Sequence, residues 1–370
     1  MIFHVLSVPI YPTKKEITIC AFTQKVYKFC KVMTERGHTV FHYGHPDSDV
    51  PCTEHFSVVS RETYDEVYGD QTWKEFHNQS VHNKVHDEFN ENAASLIKNN
   101  KRSEQDFVLA FWGIGHLDCL TKLKDDFIIV EPSIGYDSAC APYKVFESYA
   151  QLHKLQYKMY ESNIPSFDDA VIPPGFYPED FEYKEQKEDY ILFLGRMVDA
   201  KGIKLAQELS KASKTKIKFV GPQNLKHTMS KDNPYAEYIH TVSHEERKII
   251  LANAKALIMP SLYVEPCGWT MIEAFFSGTP VISTDWGGLA EYNQHGKTGY
   301  RCRSFNEFFH GLGIIDRIDK SYCRQYAERN FHINGIAGCY ERYFENIVLN
   351  KKYGFGYVQK NCTFIVRPNM

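Results

Sequence analysis

Short apolar runs alternate with stretches of helical periodicity along most of this chain. Residues 3–8 form the first run and predict a strand. Phe22, Val26, Phe29, Val32 and Met33 then recur at helical spacing, and Gly37 closes that helix. Residues 40–43 predict a second strand, 106–112 a third and 127–130 a fourth. Residues 145–160 read as a helix with Phe146, Tyr149, Leu152 and Leu155 inward. Past Pro173-Pro174-Gly175 and a charged linker at 184–189 the alternation resumes. Strands are expected at 191–194, 217–220, 256–259 and 280–283, and helices at 203–212, 245–252 and 270–277. Such alternation predicts an α/β protein with parallel sheets and helices on both faces.

One stretch breaks the pattern. Residues 46–105 are polar and rich in His, Asn and Glu, and read as an insertion with helices around 73–76 and 86–97. His82 and His86 stand four apart within it. Without a third ligand nearby they read as solvated histidines on a helix face, not a metal pair. A last helix is expected at 339–348. Lys351, Lys352, Tyr353, Phe355, Tyr357 and Lys360 follow it, and read as a docked tail that packs its aromatics. Basic residues interleaved with aromatics also suit nucleic acid, the competing reading.

The chemistry concentrates between residues 190 and 300. Glu265 and Glu273 flank Pro266-Cys267-Gly268-Trp269-Thr270, with Glu265 in a loop after the 256–259 strand and Glu273 in the following helix. A helix start offers unpaired N–H groups and the positive end of its dipole to an anion. Two acids beside it accept hydrogen bonds from hydroxyls. Gly195-Arg196 and Lys201-Gly202 follow the 191–194 strand. Strand carboxyl ends are where open α/β sheets bind ligands, and two cations there neutralise a diphosphate. Phosphates in the middle with polyols at both ends describe a nucleotide-sugar.

These residues, together with Gly287-Gly288 and Glu291, resemble the carboxyl-terminal half of a retaining glycosyltransferase of family 4. Gly278-Thr279-Pro280-Val281-Ile282 and His295-Gly296-Lys297-Thr298-Gly299-Tyr300 extend the resemblance, which covers roughly residues 170–300. It implies the GT-B fold, two Rossmann-like domains facing a central cleft. The expected division is an acceptor-side domain over 1–183, a donor domain over 184–335, and a segment over 336–370 that crosses back to the first domain. It implies a UDP- or GDP-sugar donor and a hydroxyl acceptor on a glycan or glycoconjugate. Arg196 and Lys201 would stabilise the leaving diphosphate, Glu265 would hold the donor sugar and Glu273 the ribose. Gly195, Gly268, Trp269, Thr270 and Val242 would line the donor site. His116 would contact the donor sugar from the first domain. Glu131, Tyr136, Lys14 and Thr18 become cleft or acceptor candidates. Attack would come from the front face, with no metal and no other cofactor, because protein cations take the metal's place.

Composition narrows this further. A hydrophobic share of 43% supports real cores, and a net charge of -3 makes no case for wholesale nucleic-acid or membrane binding. No Cys-x-x-Cys pair occurs among the ten cysteines, so the structural zinc signal is absent. The first residues lack the basic leader and long apolar core of a signal peptide, and no apolar run reaches membrane-spanning length. A cytoplasmic protein with free thiols is expected, for which the Asn361-Cys362-Thr363 sequon means nothing. Competing readings are transfer to hydroxymethylated bases of viral DNA, a nucleotide-sugar epimerase or phosphorylase, and a non-catalytic sugar-nucleotide-binding protein. Intact Arg196, Lys201, Glu265 and Glu273 speak against the last.

Overall fold

The computed structural model describes residues 1–69, 80–160, 166–222 and 233–353. Among these, residues 1–147, 152–175 and 333–353 form one compact unit, and 148–151 with 176–332 form a second, so the first residues of one helix, 149–151, group with the second unit and the rest of it with the first. The divisions at 175/176 and 332/333 fall slightly before the expected 183/184 and 335/336.

The first unit carries β1 (Ile2–Leu6), α1 (Ala21–Glu35), β2 (Thr39–Gly44), β3 (Glu54–Ser57), α2 (Arg61–Tyr68), α3 (Lys84–Asn99), β4 (Phe107–Ala110), α4 (Leu117–Leu123), β5 (Ile128–Ile134), β6 (Tyr143–Phe146), α5 (Tyr149–Tyr160) and β7 (Ala170–Val171). Its sheet is parallel throughout, in the order β3-β2-β1-β4-β5-β6-β7. Central β1 is covered on both faces, so Phe3, Val5 and Leu6 are fully buried. His4 is buried with them and survives there by pairing its Nδ1 with the Tyr43 hydroxyl at 2.9 Å and its Nε2 with Asp106 at 3.3 Å. Burial still pulls its pKa down.

Three expectations change here. Residues 46–105 are not an added polar segment. They supply β3, which extends the sheet beside β2, and α3, whose Val85, Phe89, Ala93 and Ile97 enter the core. Lys84, Asp87, Glu91, Asn92, Ser95, Lys98 and Asn99 lie on its outer face, which is why the composition misleads, while His86 and Asn90 are buried on the inner one. Similarly, Val145 and Phe146 are strand, not helix, because β6 pairs with β5 and β7 before the chain turns into α5. His82 precedes α3, and His86 faces the core with 1% exposure, so the two do not share a solvated face. The helix expected at 73–76 lies outside the described residues.

The second unit contains β8 (Ile191–Leu194), α6 (Ile203–Ser213), β9 (Ile217–Val220), β10 (Ala236–Ile239), α7 (His244–Asn253), β11 (Ala256–Met259), α8 (Trp269–Phe276), β12 (Val281–Thr284), α9 (Gly287–Tyr292), β13 (Gly299–Cys302), α10 (Phe305–Ile314) and α11 (Lys320–Phe331). Its six strands are also all parallel, in the order β10-β9-β8-β11-β12-β13. Each expected strand and helix of this half is present. The carboxyl ends of β8 and β11 therefore lie side by side, and the loops after them are neighbours. The chain then returns to the first unit as α12 (Ile333–Tyr353), which starts before the expected 339–348. Phe344 packs 5.0 Å from Phe3 and 4.9 Å from Phe107, while Glu341 binds Arg36 and His38. The basic and aromatic tail past Tyr353, with the Asn361 sequon, lies outside the described residues.

Lys187, within the charged linker, has a structural task. Its ammonium donates to the Ala252 carbonyl at 2.8 Å, the Ser277 carbonyl at 2.9 Å and the Thr279 hydroxyl at 3.0 Å. The first two carbonyls end α7 and α8, where helices lack internal donors and attract positive charge. Lys187→Met keeps the stem and removes the three bonds. It should cost about 1–3 kcal/mol in chemical unfolding, read on the second unit.

Candidate functional site

β11 ends at Met259 and Pro260, and the chain enters the loop that carries Glu265. That carboxylate is 4% exposed and accepts from three side chains. Ser261 donates its hydroxyl to Oε1 at 2.7 Å, and Lys201 donates to the same oxygen. Tyr263 donates its hydroxyl to Oε2 at 2.6 Å, and its ring lies 5.0 Å from the Lys201 ammonium. Burial first, then the adjacent carboxylate, push the Tyr263 phenol well above its usual pKa, so it stays a donor. Arg196 adds positive charge near Tyr263.

Lys201 reaches Glu265 because of the backbone beneath it. It ends a short 3-10 turn, Asp199–Lys201, and Gly202 follows with φ +74° before α6 begins. A Cβ on Gly202 would sit 1.9 Å from the Pro260 carbonyl oxygen, so only glycine admits this approach. The Leu262 N–H donates to the Ala200 carbonyl at 2.8 Å. The turn after β8 and the loop after β11 are thus one assembly.

The opposite side of the loop rests on two glycines. A Cβ on Gly287, at φ +63°, would meet the Glu265 nitrogen and oxygen at 2.8 Å, and one on Gly288 would meet the Cys267 Cα at 2.6 Å. The Gly288 N–H donates to the Glu265 carbonyl at 2.8 Å. Thr284 and Trp286 add bonds to the carbonyls of Ser261 and Tyr263, at 3.0 and 3.2 Å. Gly268, at φ +88°, then turns the chain into α8, placing Trp269 and Thr270 in its first turn. Both are half-buried, and Trp269 stacks edge-on against Phe176 at 5.1 Å. Gly195 closes on Gly221, whose Cβ would meet the Gly195 oxygen at 2.2 Å. Val242 lies half-buried against the core after β10.

Glu273 sits five residues past the Gly268 cap, beyond reach of the helix's own free N–H groups. It is held instead by Arg247 of α7, whose Nε donates to Oε2 at 3.1 Å and whose Nη2 donates to the same oxygen. The sequence reading missed Arg247, Tyr263 and Ser261. The last two lie beside Glu265 in sequence, whereas Arg247 carries no local signal.

First-unit candidates fare differently. His116 is fully buried, stacked on Phe89 at 5.3 Å, and neither ring nitrogen has a hydrogen-bond partner among the described residues. Burial lowers its pKa to about 3. In this structure its ring is enclosed and held neutral by burial. Glu131 does not end a strand. It lies inside β5, fully buried, and accepts from the Tyr136 hydroxyl and from the N–H groups of Cys140 and Ala141 at 2.7 and 3.1 Å. Burial raises its pKa. Glu131 and Tyr136 together fold the 136–141 loop, so their polar groups are spent internally. Lys14 and Thr18 are half-buried in the loop after β1. Gln24 fastens that loop by donating to the carbonyls of Lys14, Lys15 and Ile17 at 3.1, 3.2 and 2.9 Å. Among the described residues no group of three or more His, Cys, Asp or Glu side chains is placed to hold a metal ion.

Residues 178–307, which contain the whole second-unit cluster, match the family model described as glycosyl transferases group 1. Over 65 residues the chain is 37% identical to glycogen synthase of Mycobacterium tuberculosis, covering 18% of this chain. The chain spans 16% of the length of the curated relatives it matches. Sucrose-phosphate synthase from Thermosynechococcus elongatus superposes on 94% of this chain and 99% of its own, with TM-score 0.66 at 15% identity. The fold is GT-B. A second GT-B neighbour is Anabaena Alr3699/HepE, solved with UDP and glucose, with TM-score 0.64 at 11% identity over 94% of this chain and 100% of that one. At such identities the likeness concerns the fold, and function rests on the site. In GT-B terms the cluster occupies the strand carboxyl ends of the second Rossmann-like domain.

Gly287→Ala tests the glycine support. The positive φ alone costs about 1–3 kcal/mol, before the clash with the Glu265 backbone. Thermal unfolding should shift clearly downward, whereas Gly296→Ala, at φ +79° with open space around it, should cost only the strain.

Proposed function

We propose that this chain transfers a glycosyl unit from a UDP- or GDP-sugar to a hydroxyl of a glycan or glycoconjugate, with retention at the anomeric carbon. The observation that carries this reading is the Lys201–Glu265–Tyr263 cluster at adjoining strand ends, inside the segment that matches the glycosyl transferases group 1 model. The neighbour solved with UDP and glucose supports the donor class.

An ammonium has three donors, and Lys201 uses one on Glu265, which leaves two for phosphate oxygens. Arg196 adds a second cation. Of the Glu265 oxygens, Oε1 accepts from two groups and Oε2 from one. Oε2 therefore keeps an acceptor site for a donor-sugar hydroxyl. In the reaction the acceptor oxygen bonds to the anomeric carbon on the face from which the phosphate oxygen departs. The breaking bond's electron pair leaves on the diphosphate, and the acceptor's proton passes to that leaving oxygen. Lys201 and Arg196 stabilise charge where it develops, an electrostatic contribution. The cations take the place of a divalent metal. The free thiols support a reducing, cytoplasmic setting, and no helix among the described residues is long and apolar enough to cross a membrane.

Lys201→Ala should lower turnover on the order of 10²–10³-fold while leaving the fold intact. Wild-type transfer by this variant would move the diphosphate elsewhere. Chelation should leave activity unchanged. Loss in chelator that magnesium or manganese restores contradicts the metal-free reading.

Glu265→Gln turns an amide NH2 toward groups that are themselves donors. It should depress turnover with binding of the nucleoside diphosphate nearly unchanged, because its contacts are to the sugar, where charge develops. Glu273→Gln should weaken binding of the nucleotide-sugar and of the bare nucleoside diphosphate alike. Calorimetry beside steady-state transfer separates the two, and equal losses in both variants remove the assigned roles. Wild-type protein that binds the donor but releases no diphosphate with any acceptor is a binding protein instead.

A further inference from the structure

We infer that Arg247 is a positioning residue that aims Glu273 at the ribose diol of the donor, an assignment that rests on the transfer reading above. The capping box of α7 sets the register: Ser243 accepts from the Glu246 N–H, and the Glu246 carboxylate accepts from the Ser243 N–H. Arg247 falls one turn into the helix, four residues before Leu251, which is buried. Residues four apart share a helix face, so Arg247 leaves α7 on its inward side, toward α8.

Both donating nitrogens of Arg247 meet the same oxygen of Glu273, Oε2. Two donors from one rigid guanidinium on a single oxygen anchor that oxygen from two directions, which a lysine ammonium with one contact does not. Oε1 receives no donor among the described residues, and its lone pairs stay open in a set direction. The carboxylate is in the second turn of α8, past the helix's free N–H groups, so no backbone donor substitutes for Arg247. Further polar groups nearby are open. His244, the first residue of α7, is near enough to feel the charge of Glu273, and both its ring nitrogens lie out of solvent without a partner among the described residues. One acid with a fixed acceptor, beside enclosed polar atoms that lack partners, fits a ligand presenting two adjacent hydroxyls.

The test measures calorimetric Kd for UDP and GDP, for their 2′-deoxy forms and for inorganic pyrophosphate, with wild type, Arg247→Met, Arg247→Lys, Glu273→Gln and the Met/Gln double variant. Wild type should prefer the ribose form on the order of tenfold, the worth of one hydrogen bond to a charged acceptor. In Arg247→Met that ratio should fall toward one, pyrophosphate binding should hold, and KM should rise with kcat little changed. Arg247→Lys should recover part of the ratio, and the double variant should lose no more than Glu273→Gln alone. An Arg247→Met protein with the wild-type ratio, or one that weakens both nucleotide forms equally, overturns the inference and leaves the transfer reading standing. If that variant does not fold, the ratio in Arg247→Lys decides, and an undiminished preference there overturns the assignment. Wild-type protein that binds neither nucleoside diphosphate overturns both.

Discussion

The Glu265 loop exists in its present shape because Gly202, Gly287 and Gly288 let three stretches of backbone touch. Gly202 admits the Pro260 carbonyl, and the glycine pair admits the backbone from Glu265 to Cys267. Each contact leaves no room for a Cβ. The consequence is a loop pressed between the turn after β8 and the start of α9. Its carboxylate is then held by the donors of Ser261, Tyr263 and Lys201, the cation after β8. The Lys201–Glu265 contact depends on this meeting of backbones.

Each acid of the second-unit site has its own cation. Glu265 is joined to Lys201, and Glu273 to Arg247. The choice of cation suits the place. A lysine ammonium carries three donors on a stem that turns easily, and Lys201 places one of them on Glu265. Arg247 anchors one oxygen of Glu273 with two donors, where a single ammonium contact would hold it less firmly. Both pairs keep some exposure, with Lys201 at 23% and Arg247 at 24% of their side-chain surface, so neither bears the full cost of a buried charge.

Two polar sets in the first unit are closed on themselves. Lys25 is nearly enclosed, donating to the Ser133 carbonyl at 2.8 Å and pairing with Glu147 at 2.9 Å. Glu131, Tyr136, Cys140 and Ala141 form another closed set. Groups satisfied in this way fix the loops at the strand ends, and their bonds are already made. A polar residue near a strand end is therefore weak ground for assigning a ligand contact until its partners are known.

The strand and helix order of the second unit was legible because it is local. Apolar period, helix caps and glycine positions are written in neighbouring residues, and Ala256–Met259 or Trp269–Phe276 need no distant information. The motif around Glu265 and Glu273 was legible for the same reason. Side-chain partners were not. Lys201 meets Glu265 across 64 residues and Arg247 meets Glu273 across 26, and only the crossing of strands and helices brings them together. His116 looked available in sequence, and packing against Phe89 buried it. The polar stretch over 46–105 looked like an addition, and strand pairing with β2 made it part of the sheet. Sequence determined which elements form, because hydrophobic periodicity acts over a few residues. Tertiary structure decided which polar groups remain open, because that depends on what lies against them.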